Sequence, residues 1–436
     1  QATWALLNPA SWPVIFLDGK FPGTDSQFLS YARTINPQVS SFFFFGYLLC
    51  LWKFLFSSVS EKLKMFFGIA GAVILGLSFY TYPFAYSFLF ALIGSLAVYF
   101  FFLRDWQSLK KIIYVSLGAV VIGSVYLISL FKVLSSVFYE QAAMIAGVID
   151  THQFIFSRVW WGTTAIFLLL YKGSKQAKVF ILAFLAAAFL VTNQQLITGR
   201  TAPVPAHYHW YYIAPMAGAI LLYLLFVYLE KITGAFKSKL FMIVLAATFL
   251  YSGFLFQKNS YAMQRNSIVA LQRYADTVLW LENNIPEESV ILSNEKLSNL
   301  IVDYTRHNVY NSGYAVNFFI GAERNKHLYF TDLFLNGITK SGAKDYFYNN
   351  RDFVGGRLFG QYYRYKNGCY GCFDDNILDS IILEYQNFAD IGLVDQIRKY
   401  RVDYVAWDKY SDPSWNMDSF FDEKLYENND IIVYKY

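Results

Sequence analysis

The sequence predicts a polytopic α-helical membrane bundle of about eight spans followed by an extracytoplasmic α/β domain. Three observations carry this. Eight apolar runs fill 39–56, 65–82, 84–103, 112–130, 154–171, 179–197, 210–229 and 240–256. Most are about 17–20 residues, roughly what a helix needs to cross a hydrocarbon core. The connections between them alternate in charge. Lys62 and Lys64; Arg104, Lys110 and Lys111; Lys172, Lys175 and Lys178; and Lys231, Lys237 and Lys239 occupy every second connection. The intervening connections hold only Lys132, Arg158 and Arg200. Basic loops stay cytoplasmic, so the start of the chain and everything after 256 fall outside. Past 256 the long apolar runs give way to short β-type runs mixed with helical patterns.

Composition agrees. At 56% hydrophobic and 20% aromatic, the chain carries more apolar surface than a soluble domain of its length needs. The net charge of +5 sits mainly in the cytoplasmic loops. It marks topology and argues against a nucleic-acid partner.

Residues 1–38 form an extracytoplasmic segment in which Pro9, Pro13, Pro22 and Pro37 break any long helix. An outside start at Gln1 without a signal leads us to expect an upstream segment with at least one further membrane helix. Residues 39–256 are the bundle. In its second run Gly68, Ala72 and Gly76 recur every four residues, a small-residue face for close helix packing. Tyr80-Thr81-Tyr82-Pro83 makes an outer hairpin with interfacial aromatics. Arg158 interrupts the fifth run, which places it at the outer interface or in a wet cavity.

Residues 257–436 are the extracytoplasmic α/β domain. Ile268, Leu271, Ala275, Val278 and Leu279 repeat at helical spacing, and Asn283-Asn284-Ile285-Pro286 stops that helix. Strands are expected at Val290–Leu292, Leu300–Val302, Val402–Trp407 and Ile431–Tyr434, with helices near 326–348 and 387–401. Cys50 reads as an inert apolar residue of the first span. Cys369 and Cys372 read as a local disulfide or two free thiols, since no second pair completes a zinc site.

No Walker loop, G-x-G-x-x-G, H-E-x-x-H or G-x-S-x-G is present, which removes support for ATP-driven transport and the common hydrolase classes. Polar groups on the outer side remain. Asn193, Gln194 and Gln195 precede Arg200, His207 and His209 between the sixth and seventh runs. Amides at a membrane helix end are costly unless they line a cavity or find partners. A guanidinium and two imidazoles in one outer loop suit an anionic lipid headgroup. A polar interfacial loop accounts for the same residues. Asp18 and Asp25, with Arg33 nearby, could act as base or hold a divalent metal ion, although Asp18-Gly19 and Pro22-Gly23-Thr24-Asp25 are also ordinary turn formers. Glu140, Asp150, His152 and Arg158 form a third group, which an outer amphipathic helix would explain equally.

Two stretches carry a resemblance. Trp280-Leu281-Glu282-Asn283-Asn284-Ile285-Pro286-Glu287-Glu288-Ser289-Val290-Ile291-Leu292 looks like a helix-to-strand entry. Arg401-Val402-Asp403-Tyr404-Val405, with Leu425 to Tyr434, looks like the matching ending. With the architecture, these resemble the C-terminal parts of GT-C-fold bacterial membrane glycosyltransferases of the protein mannosyltransferase-like kind. The resemblance implies sugar transfer from a polyprenyl-phosphate carrier to a glycan, lipid or protein acceptor of the cell envelope, at the outer face of a bacterial-type plasma membrane. It places catalytic acids in a first outer loop; Asp18 and Asp25 occupy an outer loop without matching the paired-acid motif. Arg200, His207, His209, Gln194, Gln195, Arg33, His152 and Arg158 would then bind substrate. A transporter or flippase, a structural envelope protein, and a lipid-linked polymer ligase or polymerase are the rival readings.

Overall fold

The computed structural model describes residues 38–312 and 320–436. Asp18, Asp25 and Arg33 lie outside the described residues. The chain divides into two compact units. Among the described residues, one contains 38–134 and 150–266; the other contains 135–149 and the residues from 267 on.

The first unit is helical: α1 (Gln38–Phe56), α2 (Glu61–Ser78), α3 (Pro83–Phe102), α4 (Trp106–Ile122), α5 (Ser124–Leu134), α6 (Arg158–Leu170), α7 (Lys175–Thr192), α8 (Ala214–Thr233) and α9 (Ala235–Ala270). Local signals set the starts. Pro83 occupies the first turn of α3, where its missing N–H costs nothing. Asp105 caps α4, Ser157 caps α6 and Ser174 caps α7, each accepting from a first-turn backbone N–H. Among the described residues five helices are long and apolar enough to cross a membrane, and α4 with α5 makes a sixth if that pair, bent by 68°, is one span. Of the eight predicted runs, the second gives α2, which begins with Glu61, Lys62 and Lys64. The fifth gives only the 13 residues of α6, because 154–157 precede the Ser157 cap and are not helical.

The small-residue face of α2 is used for packing. A methyl on Gly76 would meet Ile122 at 2.6 Å and one on Gly68 would meet the Phe54 ring at 2.9 Å; Ala72 sits 3.1 Å from the equivalent point on Gly118. Phe44, Phe88, Phe184 and Tyr212 fill the centre of this unit.

The second unit holds a five-stranded sheet, β1 (Val290–Ser293), β2 (Asn308–Val309), β3 (Tyr404–Asp408), β4 (Lys424–Glu427) and β5 (Ile431–Lys435), in the order β2-β1-β3-β5-β4. β1 is parallel to β2 and β3; β5 is antiparallel to β3 and β4. Both faces are covered, and the two-residue period sorts the side chains. Leu292, Val405, Trp407, Ile432 and Tyr434 join one core, while Ile291, Ala406, Ile431 and Val433 join the other. The second core is closed by Val278 and Leu281 of α10 (Ala275–Asn284) and by Leu297 and Ile301 of α11 (Glu295–Tyr304).

The strand expected at Leu300–Val302 is helix instead. Leu297, Ser298 and Ile301 are buried at helical spacing, and Asn294 Oδ1 caps α11 by accepting from Leu297 N at 2.9 Å. The helix expected near 326–348 is two, α12 (Ala322–Leu335) and Ala343–Asn349; α13 (Arg351–Phe359) and α14 (Asp375–Ile391) pack beside them around Phe330, Phe347 and Tyr385. Cys369 and Cys372 are bridged, which closes the question of two free thiols.

The helix Tyr139–Ile145 belongs to this second unit, although apolar helices of the first precede and follow it in sequence. Ile145 O accepts from Gln361 N at 2.8 Å. Gly360, at φ +58, makes this possible: a side chain there would stand 2.2 Å from that carbonyl oxygen.

Candidate functional site

The polar residues after α7 meet the segment 150–157, and the two zip together. Asp150 bridges Arg200 in an isolated antiparallel pair, with Arg200 Nε 3.2 Å from Asp150 Oδ1. Thr151 N donates to Gly199 O at 2.8 Å. His152 Nδ1 lies 3.4 Å from Leu196 O. Gln195 Nε2 donates to Gln153 O at 2.9 Å, and Asn193 Oδ1 accepts from Ile155 N at 2.8 Å. At the far end Ser157 Oγ lies 3.4 Å from His209 Nδ1.

This zipper assigns work to the amides. Asn193 and Gln195 are 5% and 1% exposed and hold backbone groups of 153–155, which would otherwise be unsatisfied in an apolar setting. Gln194 Nε2 donates to Arg200 O at 3.1 Å and closes its own turn. Thr198 closes the same turn, its hydroxyl donating to Arg200 O at 3.0 Å.

The cationic groups are brought to separate places. Arg200 and His152 stand at one end of the zipper, with His152 against Gly199. His209 stands at the other. His207 turns to the hairpin before α3, its Nδ1 2.5 Å from Tyr82 OH and its ring packed edge-on against Phe84. Glu140 belongs to the second unit, and Asp150, His152 and Arg158 to the first.

The His209 end has a composition of its own. Ser157 caps α6 by accepting from Trp160 N at 3.2 Å, so the unsatisfied N–H groups of the helix start there. Arg158 is the first residue of α6, is exposed, and has no carboxylate partner among the described residues. Trp160 Nε1 donates to Leu185 O at 2.6 Å, which pins this turn to α7. Phe156 and Trp161 stack at 6.0 Å and are 62% and 42% exposed. Trp210 lies edge-on to His209 and is 51% exposed. A helix start, a guanidinium, an imidazole and exposed aromatics are thus gathered along the junction of 156–161 with 209–210. Sequence reasoning named Arg158 and His209 but placed them in different clusters. It missed Ser157, whose capping role shows only once the helix start is known.

In the second unit a buried polar cluster around Asp408 is structural. Asp408, 1% exposed at the end of β3, accepts from Arg273 Nη2 at 2.8 Å and Tyr274 OH at 2.5 Å, and from the backbone of Tyr410 and Ser411. Two cavities of about 400 and 250 Å³ lie along α12 and α14, and the ion-paired Lys326 and Glu384 line both. Among the described residues no group of three or more His, Cys, Asp or Glu side chains is placed to hold a metal ion.

No family model matches the sequence, and no curated protein matches it.

Proposed function

We propose that this chain is a membrane glycosyltransferase that takes a sugar from a polyprenyl-phosphate carrier at the outer membrane face, with the carrier phosphate held at the start of α6 by Arg158 and His209. The observation that carries the reading is Arg158, without a carboxylate partner among the described residues, on a capped helix start beside an imidazole and exposed aromatics. A helix N-terminus presents oriented N–H groups and partial positive charge, which favour a phosphate. Arg158 adds a permanent charge in fork geometry. The flanking aromatics suit an apolar carrier and the faces of a sugar ring.

Arg200 suits the phosphate less well. Asp150 already neutralises it, and its turn ties down the 150–157 segment. It acts as a clamp that orients the segment leading to Ser157.

The chemistry is an inverting transfer. A carboxylate, for which Asp18 and Asp25 are the candidates, removes the proton of an acceptor hydroxyl. The oxygen attacks the anomeric carbon while the bond from that carbon to the phosphate oxygen breaks. Arg158 and His209 stabilise the charge that collects on the departing phosphate.

The 68° bend between α4 and α5 favours the transporter reading, because broken helices mark many transport sites. Yet the sequence from Ile112 to Phe131 around the bend contains no ionisable acid or base other than tyrosine.

One experiment separates the two. The full chain in nanodiscs is given a polyprenyl-phosphate hexose with radiolabelled sugar together with a cell-envelope extract that supplies acceptor hydroxyl groups. Transfer predicts release of the polyprenyl phosphate and loss of label from the lipid. Intact carrier after incubation, with lipid crossing the bilayer in vesicles, would establish the transporter instead. The orientation is read by cysteines at Ser60, Gln107 and Gln176, expected to be shielded from an impermeant reagent in intact cells, and at Thr198 and Asn336, expected to react.

A further inference from the structure

We infer that α5 is not the second half of a span but a helix lying in the plane of the outer leaflet, with the boundary between lipid headgroups and acyl chains as its partner. The inference rests on the membrane placement of the apolar helices proposed above, and on three observations of its own.

First, α4 is nearly long enough by itself. Its 17 residues rise about 25 Å, against a hydrocarbon core of about 30 Å. α5 then leaves at 68°. A break of the ladder inside lipid would strand backbone groups, whereas at the interface water and side chains supply partners. Here Tyr80 OH donates to Ile122 O at 2.8 Å, the last carbonyl of α4. The bend is also enforced by packing: the Phe79 ring lies under Gly123, where a side chain would stand 2.3 Å from it.

Second, the bend sits in an aromatic girdle. Tyr126, in the first turn of α5, packs against Phe79 at 5.9 Å, Tyr86 at 5.7 Å and Tyr80 at 6.1 Å, and its hydroxyl lies 3.3 Å from that of Tyr86. Tyrosines collect at the level of lipid headgroups. A helix that begins at that level and turns by 68° runs along the interface.

Third, the surface of α5 fits that position. None of its residues is buried. Tyr126, Leu127, Leu130 and Val133 make its half-buried side, while Val125, Ile128 and Phe131, 66%, 59% and 72% exposed, share the outward side with Ser124, Ser129 and Lys132, a mixture of large apolar side chains, hydroxyls and one cation that suits the boundary between headgroups and acyl chains.

The test uses residues one heptad apart, which share a helix face and so differ in depth only if the helix runs through the bilayer. Single cysteines at Ser124 and Phe131, at Leu127 and Leu134, and, for α4, at Tyr114 and Val121 are spin-labelled in the full chain in phospholipid vesicles. Depth is read from the accessibility to oxygen against a water-soluble nickel complex. The α4 pair should differ by about 10 Å, seven residues at the helical rise. Each α5 pair should differ by less than half of that, with oxygen accessibility above that of a buried protein site. An α5 difference equal to that of α4 would make α5 a continuing span and overturn the inference alone. Low accessibility to both reagents would show protein covering the face and also overturn it. Absence of a depth difference in α4 would overturn the membrane placement together with the inference. The pair Val125 and Lys132 repeats the reading if the Phe131 variant does not fold.

Discussion

Arg273 Nη2 donates to Asp408 Oδ2 at 2.8 Å, joining the chain just after α9 to the end of β3. Burial alone would raise the Asp408 carboxyl. Hydrogen bonds from Tyr274 and Ser411 and the charge of Arg273 outweigh burial and hold it below the usual carboxylate range. Asp412 behaves oppositely. Burial and the nearby Asp408 charge push it up, although Asn294 Nδ2 donates to Asp412 Oδ2 at 2.5 Å.

These shifts give opposite outcomes for two similar substitutions. The Asp408 contribution to stability is present above the unfolded carboxylate value of about 4 and is lost as pH falls through its lower folded value. Asp408→Asn leaves Arg273 without its counter-charge and should cost about 2–3 kcal/mol at neutral pH. Asp412 destabilises when charged, so Asp412→Asn should cost less than about 1 kcal/mol or be stabilising. Urea dependence of protease resistance in the second unit of the full chain measures both. Equal losses in the two variants would refute the assignment.

His327 gives the second unit a separate acid sensitivity. It is 5% exposed, with Nε2 3.0 Å from Tyr310 OH. Burial, then the charges of Lys399 and Arg324, lower its pKa to about 4. The neutral ring is therefore the folded form. Stability is full above the unfolded value of about 6.5 and falls as pH drops toward the folded value, by on the order of 3 kcal/mol. His327→Gln should flatten the stability profile between pH 6.5 and 4. An unchanged profile in that window would place the titrating group elsewhere.

The helix Tyr139–Ile145 was not legible as part of the second unit. Its sequence lies among long apolar runs, and its docking depends on Gly360 and Gln361, more than two hundred residues away in the chain. Gly360→Ala should expel Ile145 and cost about 1–3 kcal/mol. Hydrogen exchange should then quicken at Gln361 and across 139–145, while the strands stay protected. Unaltered exchange in this helix would contradict its assignment to the second unit.

What could be read from sequence follows from how local each signal is. The strands β3 and β5 are short continuous apolar runs and fall within about two positions of 402–407 and 431–434, whereas composition alone did not show that run 240–256 continues as one helix over Ala235–Ala270 or that run 112–130 breaks into two helices. Leu300-Ile301-Val302 misled because three β-branched or aliphatic residues in a row hide the longer helical spacing of Leu297 and Ile301. At the site, Asn193 and Gln195 were visible as costly amides, but not that the backbone of 153–155 satisfies them. Arg200 stood out as the cation of the strongest motif. Its pairing with Asp150 is a contact between residues fifty positions apart, which no local pattern encodes.

The central claim is that the carrier phosphate sits at the start of α6. Binding of undecaprenyl phosphate to the full chain in nanodiscs tests it most directly, in the parent and in Arg158→Ala, Arg158→Lys, Arg200→Ala and Lys178→Ala. Charge-assisted contacts of this kind correspond to roughly tenfold to hundredfold in affinity, so Arg158→Ala should weaken binding by that factor. Arg158→Lys should recover part of it, since charge survives without the fork. Lys178→Ala, at the start of α7 on the side assigned to the opposite face, should bind as the parent does. An Arg158→Ala variant that binds as tightly as the parent, with Arg200→Ala losing binding, would move the phosphate to the other end of the zipper and contradict the account.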